Sequence, residues 1–175
     1  MENSIKSNSI NRGLYLGGFL VLVTVLGYVL NMELLVKWWL GILLLLVIVI
    51  VGIVSVAKAK DILEGFISFK QAFTAYFVTV AIGVLISVVF NIILFVFIDP
   101  EAAQQLQQQI IDNTVNMMEG FGAPADAIAE QVDKMESQNQ FSLGTQLMSI
   151  AWQLLIYAVI GLIVAAIMKK SNPDA

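Results

Sequence analysis

The stretch FVFIDPEAAQQLQQQI, from Phe95 to Ile110, changes character within two residues. Up to Ile98 the chain is continuously apolar; from Asp99 it is acid, alanine and glutamine. An apolar run that stops on Asp-Pro reads as a membrane-crossing helix giving way to a second, water-facing one. Asp accepts hydrogen bonds from the free N–H groups of a helix start, and Pro fits the first helical position, where an N–H is not needed.

Outward from this junction the apolar residues gather in four runs, about Gly13–Leu30, Trp38–Ala57, Ala72–Ile98 and Leu147–Met168, none containing Asp, Glu, Lys, Arg or His. Each reaches the roughly 18–20 residues that cross about 30 Å of hydrocarbon at 1.5 Å per residue. Of 175 residues 59% are hydrophobic and 13% charged, with a mean hydropathy of +0.87. A soluble domain carries about twice that share of charge. The expected fold class is all-α, an integral membrane four-helix bundle. The first run reads as an uncleaved span, because YVLNMELLVKWW offers no small-x-small cleavage site.

Lys and Arg set the expected orientation. Lys6, Arg12, Lys58, Lys60, Lys70, Lys169 and Lys170 fall on one side, and only Lys37 and Lys134 on the other. Both termini are therefore expected in the cytoplasm of a bacterial inner membrane, with the segment after Asp99 outside. Trp38, Trp39 and Trp152 are expected at the outer boundary. The expected organisation is a cytoplasmic tail (1–12), spans one to three (13–98) with an amphipathic interfacial helix near 58–71, an extracytoplasmic segment (99–146), span four (147–168) and a second tail (169–175). The helix near 58–71 is suggested by Ile62, Phe66, Phe69 and Phe73 at spacings of four, three and four; the same residues also fit the lower end of span three, and Gly65 is a candidate interruption.

From Asp99 to Leu143 eight acids face Lys134 alone. Glu101–Glu119 is rich in strong helix formers, GFGAP (Gly120–Pro124) is a stop and turn, and a second helix is expected over about Pro124–Gln138. The pair reads as an antiparallel helical hairpin standing on spans three and four. Leu106 and Ile110 on one helix, with Ile128, Val132 and Met135 on the other, either pack together or stay partly open as a contact face for a membrane or periplasmic protein, or for another copy of the chain. Asp126, Glu130, Asp133 and Glu136 share a face and read as solvated charge, since no bent loop converges their oxygens on a cation. The acidic balance excludes nucleic acid as a partner of this segment.

Within the third span Ala75, Thr79, Gly83, Ser87 and Asn91 recur every four residues, a small and polar ridge on one helix face. Such a ridge lets helices approach and bond across an interface; alternatively Thr79, Ser87 and Asn91, with Gln153, line a polar path for a small solute. No ionisable group lies at membrane depth, and Pro100, Pro124 and Pro173 all lie outside the spans, which argues against a coupled pump. With no His and no Cys, and neither a P-loop nor a GxSxG motif, imidazole triads, zinc helices and thiol chemistry are excluded; no enzyme activity and no cofactor are expected.

Gly65-Phe66-Ile67-Ser68-Phe69 with Ala72-Phe73 opening span three, Phe97-Ile98-Asp99-Pro100 closing it, and Lys169-Lys170 followed by Pro173 resemble a bacterial family, domain of unknown function forty-one ninety-nine, found mainly in Bacteroidetes. The resemblance runs from span one to the C-terminus. It implies four spans, an inner-membrane location and a polar helical insert, often Gln- and Met-rich, before the last span. It implies no activity and no residue roles. The reading that follows is a non-catalytic scaffold or accessory protein in the lipid bilayer whose outer hairpin meets a partner; the alternative is an oligomeric passive pore lined by the span-three ridge.

Overall fold

The computed structural model describes residues 2–170; Met1 and the end of the chain from Ser171, including Pro173, lie outside them. Six helices follow in order: α1 (Glu2–Leu30), α2 (Trp38–Ile62), α3 (Phe69–Ile92), α4 (Pro100–Gly120), α5 (Ala125–Ser137) and α6 (Leu143–Met168). A 3-10 turn, Met32–Val36, joins α1 to α2, and α3 continues as a π turn over Ile93–Ile98. Four stretches are long and apolar enough to cross a membrane: Ser4–Leu30, Trp38–Ile62, Phe69–Ile98 and Leu143–Met168. Their outward faces carry exposed Leu14, Phe19, Ile42, Leu43, Ile50, Leu155 and Ile163, apolar surface of the kind that faces a lipid bilayer. This is an all-α, multi-pass membrane protein.

The third span is the hub. It packs against α1, α2 and α6, whereas α1 and α6 flank it without an extended interface of their own. Glycine makes these approaches possible. A Cβ on Gly13 or Gly17 would meet Ile82 or Ile86 at 2.8 Å, and one on Gly83 would meet Leu16 at 2.6 Å. Tyr76, fully buried, lies with its ring between Gly52 of α2 and Gly161 of α6. In lipid, where no hydrophobic force drives helices together, such close contact and interhelical hydrogen bonds hold the bundle.

One buried polar cluster ties three helices. Thr79 Oγ1 lies 2.7 Å from Ser55 Oγ, 3.0 Å from the Ser9 carbonyl and 2.9 Å from the Ala75 carbonyl. Thr79 has one proton for these acceptors, and Ser55 Oγ donates its own to the Ala75 carbonyl at 3.3 Å. Asn8 Nδ2 donates to the Ser55 carbonyl at 3.3 Å, and Arg12 Nε holds the Asn8 amide oxygen at 3.0 Å. Thr79→Val keeps the shape and removes this junction. It is expected to cost about 1–2 kcal/mol in reversible unfolding, while Thr79→Ser keeps most of that; an unchanged midpoint for the valine variant would show the hydroxyl contributes nothing.

Two expectations are corrected. Residues 2–12 are not a tail: α1 begins at Glu2, and Ile5 and Ser9 are buried against the bundle. Ile5, Ser9 and Gly13 lie four apart, so they continue the packed face of α1 beneath a polar exterior. No separate helix occupies 58–71. The second span continues to Ile62, and the chain turns through Glu64 (φ 56°) and Gly65 (φ 90°) before α3 starts. The left-handed conformation breaks the helix there. Ser68 and Gln71 form a capping box that starts the next one. The turn is fastened to the far end of α6: Ile67 and Lys170 exchange backbone hydrogen bonds of 3.0 and 2.9 Å, and Lys60 Nζ donates to the Met168 carbonyl at 3.2 Å. Trp38 and Trp39 sit at the start of α2, and Trp152 lies about 13 Å along α6 from Leu143.

Candidate functional site

At the Asp99 junction the structure follows the sequence closely. Asp99 caps α4, its Oδ1 accepting from the Ala102 N–H at 2.9 Å, with Pro100 in the first helical position. Its Oδ2 accepts from the Tyr28 hydroxyl of α1 at 2.7 Å. The Ala102 amide, and then the Tyr28 hydroxyl, hold this carboxyl below the usual aspartate range. The preceding turn closes through an i→i+5 bond, Asp99 N–H to the Leu94 carbonyl at 2.7 Å. That wider turn ends α3 with Leu94 and Phe95 buried.

The first three turns of α4 lie across the end of the bundle as a roof. Ala102, Ala103 and Leu106 are buried with Leu94 and Phe95, against Tyr28, Met32, Leu35, Val36, Phe90 and Phe141. Leu106 therefore belongs to this roof seam, where the sequence stripe also allowed it to pack on α5. The fifth helix returns antiparallel: Gln107 Nε2 donates to the Met135 carbonyl at 2.9 Å, and Gln107 Oε1 accepts from the Gln140 N–H at 3.2 Å. Of the α5 stripe Met135 is buried, while Ile128 and Val132 are half-buried. Ile110 and Met135 border a polar hollow of about 270 Å³ with Thr114, Gln131, Lys134 and Gln138. Asp126, Glu130, Asp133 and Glu136 are all exposed. At the far end of the pair Met117 and Phe121 are 57% and 85% exposed.

Beneath the roof is a cavity of about 380 Å³. It divides the ridge of α3 in two. Ala75 and Thr79 are wholly buried and Gly83 is packed against Leu16, so the inner part of the ridge is helix packing. Ser87 and Asn91, half-buried, line the cavity. Gln153 lines it too, and Leu106 and Ile110 reach it from the roof. The structure thus brings the outer ridge and the base of the hairpin together around one space, and leaves Ala75, Thr79, Gly83, Ile128, Val132 and Met135 outside it. Sequence reasoning missed Gln146 and Ser149 on the α6 wall, although Gln146, Ser149 and Gln153 recur at three and four, a polar stripe on an otherwise apolar helix. Nothing in the sequence marks the facing wall, Leu40, Gly41 and Leu44 of α2.

At the opposite end a crevice of about 460 Å³ opens between α1 and the start of α3, lined by Lys6, Ser9, Ser68, Lys70, Gln71 and Thr74 among others. Between this crevice and the roofed cavity stand the Thr79–Ser55 junction and the clamped Tyr76 ring. No curated protein and no solved structure matches the chain. One family model covers nearly all of it, from the middle of α1 to the last described residue. The chain belongs to the family described as "Protein of unknown function (DUF4199)", over residues 11–170.

Proposed function

We propose that this protein is a non-catalytic accessory protein of a bacterial inner membrane, with both termini cytoplasmic, whose α4–α5 pair contacts a partner protein outside the cytoplasm. The observation that carries the reading is that α5 serves no core of its own. Among the described residues its main packing is on α4, Met135 is its single buried residue, and the pair ends in exposed Met117 and Phe121. A thirteen-residue helix is marginal without tertiary support, and an 85% exposed Phe at its turn is the kind of aromatic that anchors interfaces. The acids around this tip, Glu119, Asp126 and Glu130, favour a partner offering an apolar pocket with a basic rim. A pore is the weaker reading, because the Thr79 junction and Tyr76 fill the path between the two ends.

The chain has no cysteine, so one variant tests orientation and contact together. Gly120→Cys, exposed beside Phe121 with open space at its Cβ site, leaves that aromatic in place and is treated, in spheroplasts, with a membrane-impermeant photoactivatable maleimide. The expected result is labelling, then on illumination one recurring heterologous adduct that an Asn139→Cys control does not give. Failure to label overturns the orientation. Labelling without an adduct, or only with a second copy of this chain, overturns the heterologous partner.

A further inference from the structure

We infer that the roofed cavity is a binding site for an uncharged amphiphile, a molecule with a hydroxyl- or carbonyl-bearing head and an apolar body, entering from the leaflet on the roof side. The inference is independent of the partner reading and concerns a different surface.

The lining chemistry points to this class. Ser87, Asn91, Gln146, Ser149 and Gln153 line the space, and no Asp, Glu, Lys or Arg does so among the described residues. Amides and hydroxyls both donate and accept, so they match a neutral polar head, while an ion at this depth would find no countercharge. The depth is appreciable. Asn91 lies about 10 Å and Ser87 about 16 Å along the helix from Ile98, the end of the third span.

These polar groups are not used to hold the bundle. Among the described residues, the side-chain hydrogen bonds between distant parts of the chain run through Asn8, Tyr28, Ser55, Lys60, Thr79 and Gln107. Asn91, Ser87, Ser149 and Gln153 take no part in them. Polar side chains placed at membrane depth and facing an open space need partners within that space.

Access is lateral. The second and sixth helices meet on either side of the Tyr76 ring, at Gly52 and Gly161. Towards the roof Leu40, Gly41 and Leu44 stand on one wall and Ser149, Ile150 and Gln153 on the other. Gly41, Ser149 and Gln153 are exposed, and no atom comes within 4 Å of where a Cβ on Gly41 would sit. Polar groups set on otherwise apolar walls suit a molecule whose head bonds to them and whose chain lies along apolar surface and lipid. A space of about 380 Å³ accommodates a head and the first part of a chain.

The test uses the full chain in phosphatidylcholine nanodiscs. The probe is dioleoylglycerol with a diazirine close to the glycerol, and labelled peptides are mapped by mass spectrometry. The expected result is labelling confined to 36–44, 87–91 and 146–153, competed about tenfold better by unlabelled dioleoylglycerol than by dioleoyl phosphatidylglycerol. Asn91→Leu and Gln153→Leu are expected to lower it about tenfold each, roughly the net effect of one lost hydrogen bond, with thermal midpoints unchanged. The competition experiment on the unaltered chain stands whether or not the variants fold. Equal competition by the two lipids overturns the inference, as does labelling spread along all four spans. Absence of labelling in these three segments, the result for a cavity holding water alone, overturns it too.

Discussion

Gly52→Leu is expected to yield no monodisperse folded protein in detergent, and Gly161→Leu to fail in the same way. A Cβ on Gly52 would lie 2.5 Å from Tyr76 Cε2 and 2.7 Å from Cδ2, and one on Gly161 would lie 2.7 Å from Tyr76 Cδ1. The tyrosine has no exposed surface, and moving it away from one glycine drives it towards the other. Overpacking costs about 1–3 kcal/mol for small additions. That is the expected penalty for alanine, while leucine brings several further carbons to the same place. A loss beyond about 4 kcal/mol is a large part of the 5–15 kcal/mol that holds a typical domain together. Gly18→Leu and Gly41→Leu are the controls: neither position has an atom within 4 Å of its Cβ site, so both variants should melt with the parent. Thermal unfolding followed by size exclusion separates the cases. A Gly52→Leu protein that melts with the parent would mean that the Tyr76 clamp is not a determinant of the bundle.

The second large effect is expected at the roof. Asp99→Ala removes the helix cap at Ala102 and the acceptor of the Tyr28 hydroxyl in one change. Residues 101–140 should then open more often, and limited proteolysis within them should accelerate on the order of tenfold, because cleavage tracks the population of the open form. The four spans should keep their protection. Acid should act similarly. Because the Asp99 carboxyl is held below its usual value in the folded protein, its contribution is complete above the unfolded pKa of about 3.9. It is lost as pH falls through the lower folded value. Protease sensitivity of the roof is therefore expected to stay flat from neutral pH down to about 4 and to rise below it. Asp99→Asn, whose amide oxygen keeps the cap at Ala102 while its NH2 group donates to the Tyr28 hydroxyl oxygen, should keep the roof largely closed and abolish this acid transition. A roof that opens equally in the alanine, asparagine and parent proteins would leave the seam of Leu106 and Phe95 as its only fastening.

The site was only partly legible, and the ridge of α3 shows why. A four-residue repeat, Ala75 to Asn91, declares one helix face in any context. Which neighbour covers each step depends on where α2 and α6 converge and where they part. They converge on Tyr76, and no pattern within a single helix marks that tyrosine as the residue between two glycines of other helices. The hairpin stripe behaves alike. Its spacing was visible, yet Leu106 meets Phe95 and Tyr28 in the roof seam.

By itself the sequence determined what local chemistry controls. Four apolar runs define four spans, because backbone polar groups in lipid must be satisfied within a helix. Asp99-Pro100 and Gly120–Pro124 place a helix start and a helix stop, because caps act within a few residues of their own position. The tertiary structure alone decided which end of the ridge is sealed and which is open. It also turned the polar start of the chain into a packed helix end, through Ile5 and Ser9. Both outcomes depend on close approach between residues far apart in the chain, and in a membrane such approach is governed by interhelical fit, for which apolar periodicity carries no signal.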